Sequence, residues 1–260
     1  MLNTVDLKFA LEDLDLIDKP VIAHASLRSF GYIKNGVDAV LRAMLSSFKS
    51  VMMPAFTYKT MVTPEVGPPN NGITYGSESD LNKMAQSFSL NMRVDPMIGI
   101  IPETLQVRPF ATRTDHPILS FTGIRADEFL IKQTLAEPLA PIGALAEADG
   151  WVVLVNVVHS VNTSIHYAEK LAGRKQFIRW AIHGDRIVEC PGFPGDSSGF
   201  NAIAEYLKSD TRRVNVGHGF VQAVSLKRLF EVTQELIKKD PLALLCQRSD
   251  CERCNAVRGL

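Results

Sequence analysis

The chain has 260 residues, 46% hydrophobic and 22% charged, with 28 basic and 28 acidic residues in balance. That length is ample for a buried core, and the balance, with no basic run longer than two, excludes the concentrated positive surface of sequence-independent nucleic-acid binding. No apolar run approaches the roughly 20 residues of a membrane span, and Met1-Leu2-Asn3-Thr4-Val5-Asp6 lacks a basic-then-apolar secretory pattern, so a cytoplasmic enzyme is expected.

From Val5 to Leu16, Leu7, Leu11 and Leu14 recur at helical spacing and predict a surface helix. Pro20-Val21-Ile22-Ala23-His24 is a short strand that leads through Asn35-Gly36 into a helix from Val37 to Phe48. Ser50 to Met53 is a second strand, stopped by Pro54. This order is a βαβ unit, with parallel strands and a right-handed crossover. Residues 55 to 95 are irregular, punctuated by Pro64, Gly67-Pro68-Pro69-Asn70-Asn71-Gly72 and Gly76, and predict a lid-like region over a binding cleft. A helix is predicted from Pro96 to Val107, and another from Ile124 to about Gln133. Pro138 and Pro141 break the chain before a further short helix and a strand at Trp151 to Val155.

Gln176 to Ile182 and Arg186 to Cys190 read as a hairpin turned by His183-Gly184-Asp185. A turn at Pro194 to Gly199 precedes a helix to Leu207, Arg213 to Val216 and Phe220 to Val224 are short strands, and Leu226 to Lys239 is an amphipathic helix. With no internal repeat and no linker, the expected fold is a single α/β domain over 1–260, with a mixed, partly parallel sheet flanked by helices.

The most informative motif is Asn162-Thr163-Ser164-Ile165-His166-Tyr167-Ala168-Glu169, directly after the Trp151 strand. Thr163 is placed to cap a helix there, on which His166 and Glu169, three residues apart, share a face. A histidine oriented by a carboxylate is the usual general base near neutral pH, although by spacing alone the pair reads equally well as a surface contact. The loop His24-Ala25-Ser26-Leu27-Arg28 feeds a helix N-terminus, which favours a phosphate group or is an ordinary strand-to-helix turn. Arg113-Thr114-Asp115-His116-Pro117 with Ser120 packs a cation, a carboxylate, an imidazole and a hydroxyl together, but Pro117 points to a structural corner that lines a cleft. His159, His183 and His218 read as surface or hydrogen-bonded residues. No Gly-x-Ser-x-Gly elbow supports a serine hydrolase.

Cys246, Cys251 and Cys254 form a Cys-x4-Cys-x2-Cys cluster in a C-terminal tail, 246–260, with Cys190 far off in sequence. Such spacing raises metal binding before disulfides, and Cys190 or a histidine could complete a tetrahedral zinc site. Three ligands are fewer than a closed site needs, so no metal is assigned.

Five segments in this order resemble the aminoglycoside 3-N-acetyltransferase family. They are His24 to Gly31 with Gly36, Met53-Pro54-Ala55-Phe56-Thr57, Arg113 to Ser120, Asn162 to Glu169, and Pro194-Gly195 with Ser197 to Phe200. The sequence departs from the family's pattern at Ala25, where a second serine is common, at Ala140-Pro141 in place of Ser-Pro, and at Asp196, where a cysteine is often found. The resemblance implies an acetyl-CoA-dependent N-acetyltransferase and a link to antibiotic resistance. It implies His166 as general base held by Glu169, direct acetyl transfer to an amine, and Thr163 as a donor to the developing oxyanion or sulfur. It further implies that His24, Ser26, Leu27, Arg28, Phe56, Thr57 and Ser120 line the acetyl-CoA groove. Asp115 and Glu103 would contact a cationic acceptor, the candidates being the 3-amino group of a 2-deoxystreptamine aminoglycoside or a non-antibiotic amine; the alternative is a CoA-binding family member without acetyltransferase turnover. Self-association cannot be read from the chain.

Overall fold

The computed structural model describes residues 2–27, 30–76 and 79–259. Its elements run α1 (Thr4–Glu12), β1 (Pro20–Ala25), α2 (Gly36–Ser47), β2 (Ser50–Pro54), β3 (Met61–Val62), α3 (Ser79–Met84), α4 (Ile100–Gln106), β4 (Ala111–Arg113), β5 (Phe121–Ile124), α5 (Asp127–Leu130) and α6 (Ala140–Glu147). They continue with β6 (Trp151–Val155), α7 (Thr163–Leu171), β7 (Phe177–His183), β8 (Arg186–Phe193), β9 (Arg212–Val216), β10 (Gly219–Ser225), α8 (Leu226–Lys239) and α9 (Glu252–Arg258).

The expected βαβ unit is present: β1 and β2 are parallel, with Val21 opposite Val51 and Ile22 opposite Met52. On its other edge β1 pairs in parallel with β6, His24 lying opposite Leu154. Antiparallel strands complete a seven-stranded sheet of order β4-β5-β2-β1-β6-β10-β9. The chain leaves β1 toward β2 on one side and returns as β6 on the other, so the gap between β1 and β6 is a topological switch point. At such points the carboxyl ends of the strands open a crevice suited to ligands.

Because successive side chains point to opposite faces of a strand, this sheet feeds two cores. Val21, Ala23, Val51, Met53, Val153 and Val155 pack with α1, α2 and α4 on one side. Ile22, Met52, Val152, Leu154 and Val224 pack with α6, α7 and α8 on the other. A second sheet, β3-β7-β8, holds the predicted hairpin.

Several predicted elements are shorter. α1 stops at Glu12, and Asp15 takes a left-handed backbone (φ 55°), so Leu14 and Leu16 are buried outside the helix. The helix predicted from Pro96 begins at Ile100, because Asp95 closes its own turn on Met97 and Ile98, and Gly99 sits at φ 102°. Ile124 belongs to β5, and Arg125 at φ 57° turns the chain before the four-residue α5. Phe200–Glu205 winds as a tight 3₁₀ helix instead of the predicted α-helix. The short strands β3 and β4 carry no periodic signal of their own; pairing with β7 and β5 defines them.

Within the irregular 55–95 region, β3 pairs with β7, and the Asn71 side chain accepts from the Ile178 N–H and donates to the Ile178 carbonyl. Those bonds tie this stretch into the second sheet. Among the described residues no helix is long and apolar enough to cross a membrane.

Candidate active site

The site is built where β1 and β6 end. β6 runs out at Val155, the chain makes a 3₁₀ turn at His159–Val161, and α7 starts at Thr163. Asn162, not Thr163, is the cap: its side chain accepts from the Ser164 N–H at 3.1 Å. Thr163 is instead the first helical residue, 8% exposed. One turn further, His166 Nδ1 lies 2.9 Å from Glu169 Oε2, and both residues are buried.

A partner that sequence spacing does not signal completes the pair. Arg174, carried back toward α7 by the turn at Gly173 (φ 80°), donates from Nη1 to Glu169 Oε1 at 2.6 Å. Its Nη2 donates to the carbonyls of Pro241 and Ala243. A buried carboxylate without a cation is costly, and Arg174 supplies the balancing charge to Glu169. An ionised Glu169 can only accept a hydrogen bond, which assigns the His166 proton to Nδ1 and leaves the lone pair on Nε2. The Phe200 ring packs edge-on against the imidazole, with centroids 4.7 Å apart.

His24, at the end of β1, and His159 join His166 in this crevice. Burial, then the proximity of His159 and His166, pushes His24 down to about 3. Burial pushes His159 down to about 4, so both rings are neutral at pH 7. His159 Nδ1 lies 3.3 Å from Asn162 Nδ2, whereas His24 Nε2 is buried with no partner among the described residues. The sequence reading leaves His159 peripheral; its place directly after β6 is the signal that could have found it.

Of the other predicted cofactor residues, Ser26 and Leu27 are half-buried beyond β1, the Ser26 N–H bonding the Val155 carbonyl, and Arg28 lies outside the described residues. Phe56, Thr57 and Ser120 lie in the interior. Phe56 packs in the core against Phe121 and Tyr58. Thr57 Oγ1 donates to the Pro117 carbonyl, and Ser120 Oγ donates to the Ala55 carbonyl while accepting from Arg113 Nε. All three are buried, with the interior contacts of a wall.

His116 is the structural corner expected. Its Nδ1 accepts from the Ile118 and Leu119 N–H groups at 3.1 and 3.0 Å, and burial pushes its pKa down to about 4. Beside it, Arg113, Asp115, Leu130, Gln133 and Leu135 help line a cavity of about 400 Å³ that His166 does not touch. Asp115 is exposed and meets His183 Nε2 at 3.0 Å. Glu103 is paired with Arg93 at 2.7 Å.

A family model described as aminoglycoside 3-N-acetyltransferase matches residues 22–238. Aminoglycoside N(3)-acetyltransferase IV of Salmonella sp is 24% identical over 163 residues, a match spanning 58% of this chain and 62% of that protein. Among solved structures, apo aminoglycoside acetyltransferase AAC(3)-IVa superposes with a TM-score of 0.80 at 22% identity, covering 99% of this chain and 97% of that one. A mutant of the same enzyme in complex with a gentamicin gives 0.78 at 21% identity, covering 99% and 97%. AAC-IIIb in a binary complex with CoASH gives 0.72 at 18% identity, covering 91% and 96%. At these identities the structures share the fold.

Proposed function

Because the chain belongs to the aminoglycoside 3-N-acetyltransferase family, we propose that it moves acetyl from acetyl-CoA to an amine, with the 3-amino group of a 2-deoxystreptamine aminoglycoside as the first acceptor to test. The observation that carries this reading is the buried His166–Glu169–Arg174 chain at the β1/β6 switch point.

An amine that is protonated in water must lose a proton before it can attack a thioester. His166 Nε2 takes that proton, and Glu169, paired with Arg174, stabilises the imidazolium that results. The amine nitrogen bonds to the acetyl carbonyl carbon, and the tetrahedral intermediate collapses as the carbon–sulfur bond breaks; the second proton lost by the nitrogen ends on the departing CoA thiolate to give the thiol, and the imidazolium returns its proton to solvent. The acetyl group passes directly, without an acyl-enzyme. Thr163, at the start of α7, is the proposed donor toward the negative charge that develops on oxygen or sulfur.

Support for an acyl donor in the crevice comes from His24 Nε2, which is buried and without a hydrogen-bonding partner among the described residues. Ser26 and Leu27 extend the same edge, and Arg28 adds a cation for phosphates. Asp115 is the acidic contact for a cationic acceptor, and a cytoplasmic site of action matches the use of acetyl-CoA. The test incubates the protein with acetyl-CoA and a panel of 2-deoxystreptamine antibiotics, amino sugars and peptidyl amines. Amine-dependent thiol release with one acetyl on the aminoglycoside 3-amino nitrogen is expected; thiol release indifferent to any amine would overturn the assignment.

A further inference from the structure

The C-terminal cysteines converge with a residue from a distant turn. Asp196, in the turn after β8, and Cys246, Cys251 and Cys254 bring one ligand atom each to within 4.8 Å of one another. The three cysteines are buried, and the Asp196 side chain is 10% exposed. Cys190, the other thiol available to complete the set, is buried in β8 outside this group. We propose that Asp196, Cys246, Cys251 and Cys254 form a closed, structural zinc site.

Donor type, number and surroundings all support zinc. Three thiolates and one carboxylate make a four-ligand tetrahedral set, and with Zn–S near 2.3 Å the ligand atoms of such a site stand roughly 3.8 Å apart. The observed cluster needs only a small contraction to reach that spacing. Binding deprotonates the three thiols, so three protons leave to solvent, and the four negative ligands on one Zn²⁺ carry a net charge of −2. Arg248 and Arg253, whose guanidinium nitrogens lie 3.2 and 3.6 Å from Asp196 Oδ2, supply two positive charges beside it. The Ser198 N–H fixes the other carboxylate oxygen at 2.9 Å, and Arg258 donates to the Cys246 carbonyl, so the surrounding bonds orient the ligands. No ligand position is left for a substrate, which separates this site from a catalytic zinc.

The clip would fasten the tail to the turn that supports the base. Gly199 approaches the tail so closely that a Cβ would collide with the Leu244 and Leu245 carbonyls. Ser197 Oγ donates to the Ser160 carbonyl, and Phe200 packs on His166. On the other side, the tail carbonyls of Pro241 and Ala243 hold Arg174. Zinc would thus position the machinery without touching a substrate.

The test is elemental analysis of the full chain, purified without a metal-affinity tag, followed by chelation under reducing conditions and titration with Co²⁺. No acyl donor or amine is present, so the outcome is independent of the acetyltransferase assignment. About one zinc per chain is expected, with intense tetrahedral Co²⁺ bands and thiolate-to-cobalt charge transfer, and a lower Tm after chelation. Cys254→Ala should abolish these signals. Should that variant not fold, Asp196→Cys keeps the site testable: metal is retained and the charge-transfer band grows by roughly one third, in proportion to thiolate number. A metal-free folded protein whose reduced thiols leave Co²⁺ octahedral would overturn the site, as would a disulfide among these cysteines or an iron chromophore.

Discussion

Two neighbourhoods of this molecule hold similar chemistry in sequence and use it differently. Around β6 and α7, His166 meets a carboxylate that is itself held by a buried arginine. Around β4 and β5, His116, Arg113 and Ser120 are equally close in the chain, but apart from the Arg113–Ser120 contact their bonds end on backbone. His116 accepts two N–H groups, and Arg113 donates to the carbonyls of Ala55, Leu90 and Met92. What a polar cluster can do is set by where its hydrogen bonds end. Bonds to backbone fix a corner, whereas bonds to an ionised side chain prepare a ring nitrogen for proton transfer.

The contrast is sharpest for the two histidines. His166→Ala should lower amine-dependent turnover by ~10²–10⁴-fold with the folded signal retained by circular dichroism. The opposite pattern is expected at Arg174, whose loss strands Glu169 as a buried charge: Arg174→Met should lower stability by about 3–5 kcal/mol, measured by urea unfolding, and reduce kcat through misplaced Glu169. His116→Ala should cost roughly 1–3 kcal/mol for each of the two N–H groups it orphans, while kcat of the folded fraction stays within a few-fold of the parent. A large kcat loss in His116→Ala with intact stability would erase the distinction between the two regions.

Acid should expose both neighbourhoods together. The folded pKa values of His24, His116 and His159, about 3, 4 and 4, lie below the ordinary 6.5. The unfolded chain therefore binds more protons below pH 6.5, and stability present above that pH is lost as pH falls toward 4 and then 3. Each ring contributes up to about 1.4 kcal/mol per pH unit in that window. Denaturant midpoints measured from pH 7.5 to 4.5 should fall accordingly, and His24→Phe should flatten the curve. The smallest effect is expected at the exposed Asp115, where Asp115→Asn should raise KM for a cationic aminoglycoside by a few-fold and leave kcat unchanged.

Much of the architecture is legible in the sequence because it is periodic. The apolar runs of β1 and β6, the Asn35-Gly36 entry to α2 and the stripe on α8 each predict their element. The His166–Glu169 pair is legible because a helix brings residues three apart onto one face. What escapes depends on distant partners. Arg174 is defined by the carbonyls of Pro241 and Ala243 as well as by Glu169, and β3 and β4 exist through strands elsewhere in the chain. The interior placement of Phe56, Thr57 and Ser120 is not legible either, because a motif does not show which way a side chain points. Asp196 can be placed beside three cysteines only by the fold, although its occupying a position where the family often carries cysteine is a usable hint.

Chemical rescue tests the role of His166 most directly. In His166→Ala, with acetyl-CoA and an aminoglycoside at saturation, thiol release should be restored as small imidazoles are added, and should follow the concentration of the unprotonated imidazole. Parent-like release without any imidazole, or a deep loss that no imidazole of any basicity restores in a folded variant, would contradict a proton transfer to the ring that Glu169 and Arg174 hold.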